Sequence, residues 1–156
     1  MAKSRFSAWA GLMAVAKDEK TTEFENMIAQ AEAAVAALRD TYRQQLASDV
    51  AELCAIWERL EAGEPVEKAL EALHAVAHNV KGQGGSFGYG LVTEIGASFC
   101  DYLRSGERRS PEELNIVHMH IRMLKSVSDH DISGDGGETG RRIVEKLRLL
   151  TGREDD

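Results

Sequence analysis

The 156-residue chain contains only two prolines, Pro65 and Pro111. Proline is the strongest interruption a helix can meet, so long helices are possible over most of the sequence. Aromatic residues make up 6% of the chain, while alanine and long straight-chain residues dominate, a mix that favours helix over strand. No segment alternates with a period of two, which removes the half-buried strand. Cysteine is scarce as well. Cys54 and Cys100 match no zinc-ligand spacing and build no disulfide scaffold. Both lie in apolar helical patterns and read as buried free thiols, in keeping with a reducing cytoplasm. Basic charge is in deficit, with 19 Lys and Arg against 26 Asp and Glu and a net charge of -7. A surface that neutralises phosphate backbones carries the opposite sign. Nucleic acid is therefore an unsuitable partner, and so is an acidic membrane surface. No run approaches the roughly 20 apolar residues of a membrane span.

The apolar residues that are present fall at helical spacing. Lys3 and Arg5 precede "FSAWAGLMAVA", where Ala14-Val15-Ala16 imitates a signal-peptide cleavage site. That run is short and interrupted by Ser7 and Gly11, so it reads as a short amphipathic helix with Phe6, Trp9, Met13 and Ala16 on one stripe. From Thr21 to Leu60 there is no Gly and no Pro. Phe24, Ile28, Ala31, Val35, Leu38, Tyr42, Leu46, Val50, Leu53, Trp57 and Leu60 follow one another in steps of three or four, the mark of one apolar helical face. Gly63 closes that helix in "EAGEP". A second helix opens near Pro65 and runs to about Gly85, and a third covers Leu91 to Arg104. "SPEE" starts a fourth, with Ser110 as N-cap, Pro111 in the first turn and Glu113 completing a capping box. "DISGDGGETG" reads as a flexible joint, followed by a short last helix and a frayed tail. The expected architecture is all-α, an antiparallel up-and-down four-helix bundle over residues 21–130. An N-terminal extension covers 1–20, and the joint, an extra C-terminal helix and the tail cover 131–156.

One stretch conflicts with its own helix. "HNVKGQGGSFG", residues 78–88, places four glycines directly after a histidine and a lysine. At 100° per residue, Leu73, Val76, Val80 and Phe87 share the packed side, and His78 points the opposite way. Glu71, His74, Lys81, Gly82 and Gly85 lie around His78 on that outer face. A neutral imidazole nitrogen is a nucleophile. Lys81 can pair with phosphoryl oxygens as a point charge. Glycine at 82 and 85 lets a second backbone approach closely, as in-line phosphoryl transfer requires. Each glycine costs about 1 kcal/mol in helix propensity.

These residues resemble the histidine phosphotransfer (HPt) domain of two-component phosphorelays. The signature is a histidine, two residues, Lys-Gly, and a glycine closing the helix six residues later, here His78, Lys81, Gly82 and Gly88. The resemblance covers roughly residues 33 to 130. It implies a four-helix bundle with the histidine exposed midway along one helix. It implies that His78 takes a phosphoryl group from a receiver-domain aspartyl phosphate and returns it to another aspartate. Lys81 then steadies the phosphate, and Gly82, Gly85, His74 and Glu71 line the dock. The receiver supplies its own aspartate and Mg²⁺, so the chain needs no cofactor of its own. The expected protein is a stand-alone stoichiometric carrier, not an enzyme with its own turnover. Gln83 stands where a small polar residue is common, Val80 where leucine is, and Gly84 and Gly85 exceed the usual glycine count. None of these removes a functional atom.

Rival readings are weaker. His74 and His78 are four apart, a spacing that can hold zinc, but Ala75 stands where a metalloprotease has Glu and no third ligand is evident. A metal-binding or scaffolding bundle built on that pair is the alternative. His118 and His120 point apart on one helix and read as structural or surface residues. "GDGGETG" precedes a helix but follows no strand and matches no P-loop. An autophosphorylating kinase would carry a proline shortly after its histidine and an ATP-binding domain, neither of which these residues contain.

Overall fold

The computed structural model describes residues 2–106 and 110–152, with side chains from residue 18 onward. The first helix, α1, runs without a break over Ala2–Glu61. The extension expected over 1–20 is thus part of α1 and not a short helix of its own; its Phe6, Trp9, Met13 and Ala16 stripe lies outside the described side chains. Two compact units divide the chain, residues 1–40 and residues 41–156. In the first, every residue from Asp18 to Asp40 is exposed. The apolar face expected to pack along the whole of 24–60 therefore divides. Phe24, Ile28, Val35 and Leu38 face solvent, whereas Tyr42, Leu46, Val50, Leu53 and Ile56 are buried. Helical periodicity records that a face is apolar, not what covers it.

In the second unit, α1 from residue 41 onward joins α2 (Val66–Gly84), α3 (Gly90–Arg104) and α4 (Pro111–Asp129) in the expected four-helix bundle, and α5 (Gly137–Thr151) is added to it. The core is the sum of the four stripes, including Leu53, Leu73, Ile95, Phe99, Ile121 and Leu124. Burying each such side chain contributes about 1.5–3 kcal/mol. The helix boundaries follow local chemistry. Gly63, at φ +106°, takes the chain out of α1. Ser110 Oγ accepts from the Glu113 amide at 3.1 Å while the Glu113 carboxylate accepts from the Ser110 amide at 3.5 Å, the reciprocal cap anticipated from "SPEE". The two thiols are free, Cys100 buried and Cys54 half-buried, and burial pushes both thiol pKa values up. Among the described residues no helix is long and apolar enough to cross a membrane.

The segment read as a flexible joint is bonded to the α2–α3 turn. The Gly134 amide donates to Gly88 O at 2.6 Å, and the Leu91 amide donates to Gly134 O at 2.8 Å. Asp131, at φ +49°, accepts from the Tyr89 hydroxyl at 2.6 Å and pairs with Arg43, whose Nε also reaches the Tyr89 hydroxyl at 3.2 Å. Glycine-rich composition marks where the backbone takes unusual φ; here those conformations let the loop close against a neighbouring turn. Beyond it, Gly140 in the first turn of α5 has no space for a side chain, since a Cβ would lie 1.8 Å from Asp135 O. Leu147 of α5 is buried.

His120 is a structural residue, fully buried on α4 and stacked on Phe99 with ring centroids 5.0 Å apart. Its Nδ1–H donates to Ile116 O at 2.9 Å, so Nε2 accepts from the Ser98 hydroxyl at 3.0 Å. Burial pushes its pKa down from 6.5 to about 4, against the Ile116 bond, which raises it. The folded state holds this imidazole neutral while the unfolded chain protonates below 6.5. Stability is accordingly unaffected above that pH and falls as pH drops from about 6.5 to about 4, by about 3 kcal/mol from this group. Urea unfolding at pH 7 and pH 4.5 should show a steeper loss for the wild-type chain than for His120→Gln; equal losses would remove His120 from the acid response.

Candidate functional site

The site is built on one face of α2. Pro65, at φ −55°, precedes the first turn. Ala69, Leu73, Val76, Ala77, Val80 and Gly84 are its buried positions, the side anticipated from the helical wheel. His78 is consequently exposed, as are Glu71, Lys81, Gly82 and Gly85. Lys81 and Gly82 follow His78 by three and four residues, so they are its neighbours on the helix surface. The end of α2 is anchored from several sides. It passes into a 3-10 turn, Gly85–Phe87. Gly88 then turns left-handed at φ +82°, and the Tyr89 amide donates to Gly84 O at 2.9 Å. Phe87 stacks on Tyr42 of α1 at 4.8 Å.

The glycines of this stretch have different surroundings. A Cβ at Gly82 would meet nothing within 4 Å, and one at Gly85 only Thr93 Oγ1 at 3.7 Å. These two leave the surface beside His78 clear. Gly84 faces inward, where a Cβ would lie 2.6 Å from Thr93 Oγ1 and 3.0 Å from Tyr89 O. A further glycine belongs to the site and was not singled out in the sequence. Gly96 on α3 is buried, and a Cβ there would lie 3.0 Å from both Cα and N of Lys81. The backbone that carries His78 and Lys81 is thus seated directly on α3. The signal available was an isolated Gly within the helical pattern "TEIGASFC", whose partner across the bundle the sequence does not name.

His74, expected as an exposed neighbour of His78, is less open than that. It is half-buried, its Nε2 is enclosed with no hydrogen-bond partner, and its ring lies 6.4 Å from that of His78 at an interplanar angle of 18°. Among the described residues no group of three or more His, Cys, Asp or Glu is arranged to hold a metal ion. His118 is half-buried and stacks on Trp57 at 4.4 Å. A cavity of about 510 Å³ is lined by Ser98, Asp101, Tyr102, Arg104, Ser105 and Thr151, so it does not include His78. An exposed imidazole on a helix face, with a cation one turn away and a cleared surface beside it, suits contact with another macromolecule better than enclosure of a small molecule.

A family model described as "Hpt domain" matches residues 37–127, more than half of the chain. No curated protein and no solved structure matches it.

Proposed function

Since the chain belongs to the Hpt domain family, whose members carry phosphoryl groups in two-component phosphorelays and interact with receiver domains, we propose that His78 is the phosphoryl-accepting residue. The observation that carries this reading is the exposed His78 imidazole with Lys81 three residues on and open space at Gly82. A lone pair on an imidazole nitrogen attacks phosphorus of the receiver's aspartyl phosphate. The N–P bond forms as the P–O bond breaks, the aspartate carboxylate leaves with the bonding pair, and the proton on the other ring nitrogen can pass to water. Lys81 balances charge on the phosphoryl oxygens. Gly82 and Gly85 admit the partner's backbone, with Glu71 and the exposed edge of His74 bordering the contact. The receiver brings the aspartate and Mg²⁺. The chain acts stoichiometrically and reverses the step on a second aspartate.

Incubation with a phosphorylated receiver domain tests this directly. Acid-labile phosphate should appear on the chain and map to the peptide containing His78. Phosphate mapped to another residue would overturn the assignment. Gly82→Gln tests the clearance separately. Its side chain enters open space, so thermal stability should hold or rise slightly, glycine being the poorer helix former. Transfer should slow by on the order of 10–100-fold, because the reacting groups are held apart. Unchanged transfer would refute close approach at Gly82.

A further inference from the structure

The first unit of the chain presents an apolar face that the bundle does not use. Phe24 is 64% exposed, Met27 62%, Ile28 43%, Val35 51% and Leu38 57%. Most of this segment precedes the family match, which begins at residue 37. These residues are not scattered. Thr21, Ile28 and Val35 recur every seven residues, as do Phe24, Ala31 and Leu38, offset by three. That is a heptad, with β-branched side chains at every a position and Phe, Ala and Leu at d. β-branched a residues with Leu at d favour a parallel pair of helices over higher assemblies.

The flanking charges select the same arrangement. Lys20 occupies a g position and Glu25 the following e position, the two that face each other across a parallel dimer. The other g–e pairs of that register are Met27 with Glu32 and Ala34 with Arg39, so no like charges meet. An antiparallel pairing over the same span opposes e to e and sets Glu25 against Glu32. Six alanines between residues 29 and 37 give the segment high helix propensity and keep its flanks narrow. We propose that residues 18–40 of α1 pair with the same residues of a second copy as a parallel two-stranded coiled coil. The paired segment is three heptads long, about 35 Å at 1.5 Å per residue. The seam stops after Leu38 because the next a residue, Tyr42, is buried against Phe87 and Tyr89.

Sedimentation equilibrium of the full chain at micromolar concentration should give twice the chain's mass. Ile28→Glu should reduce it to a monomer while the bundle still melts cooperatively. Lys20→Glu and Glu25→Lys should each weaken the dimer, and the two together should restore it. Val35→Cys should form a disulfide-linked dimer under mild oxidation that the wild-type chain does not, since only a parallel register places residue 35 opposite its copy. A monomeric wild-type chain would overturn the proposal and leave the stripe to a helix of another protein. A dimer insensitive to Ile28→Glu would place the contact elsewhere. Failure of the charge swap to restore the dimer, or of Val35→Cys to crosslink, would overturn the parallel register.

Discussion

A His78→Gln chain is expected to take up no acid-labile phosphate from a phosphorylated receiver domain, a loss on the order of 10³-fold or more. Glutamine keeps the approximate length and polarity of the side chain but has no nucleophile, because the amide nitrogen's lone pair is delocalised onto the carbonyl. His78 is exposed, and exposed substitutions away from packing features usually stay within about 0.5 kcal/mol in stability. The thermal transition should therefore be unchanged, which separates a chemical loss from a folding loss. His74→Gln should keep most of the transfer, since His74 Nε2 has no bonded partner through which it could orient His78. The zinc reading makes the opposite forecast, in which the two histidines act together and either substitution abolishes stoichiometric metal binding. Full labelling of His78→Gln would end the assignment. Loss of labelling in His74→Gln with an intact fold would make His74 a positioning residue.

The second large effect is expected at Gly96. Gly96→Val introduces a branched side chain where even a Cβ stands 3.0 Å from the Lys81 backbone. The atoms it meets are main chain of α2, which cannot rotate aside as a long side chain could. The helices must separate, and overpacking of this kind costs about 2–3 kcal/mol, against a small gain from replacing glycine in a helix. The melting temperature should fall by on the order of 10 °C. Transfer should be far less affected at temperatures where the chain remains folded, because His78, Lys81, Glu71, His74 and Gly82 all ride on α2 and shift together. Gly82→Gln is the contrast, with slower transfer at unchanged stability. A Gly96→Val chain as stable as wild type would show that α2 and α3 are not in close contact at Lys81.

Most of the bundle was legible because its cues are local. The capping box at Ser110 and Glu113, the left-handed glycines at 63 and 88, and the steps of three and four along α2 to α4 each act within a few residues, so the sequence carries them whole. The outer face of α2 was legible for the same reason: angle along a helix depends only on residue number. What packs against what is a different kind of fact. "SGDGG" has the composition of a loose joint, but Gly134 meets Gly88 and Leu91 across the fold, and Asp131 meets Tyr89 and Arg43. Neither pairing leaves a trace in the spacing of either segment. Gly96 reads as an ordinary weak point in a helix until Lys81 is seen on the other side of it.

The division is clearest on α1. Residue spacing alone dictates that 24–60 form a helix with one apolar face, because helix period and apolar spacing coincide there. That this face is covered from Tyr42 onward and open before it follows from packing. Burial depends on whether a second surface reaches the helix, and that is a property of the assembled chain, not of the spacing of its residues. The same holds at His78. The sequence determined that the imidazole, Lys81 and Gly82 share a face, and the packing of Leu73, Val76 and Val80 into the bundle decided that this face is the one turned to solvent.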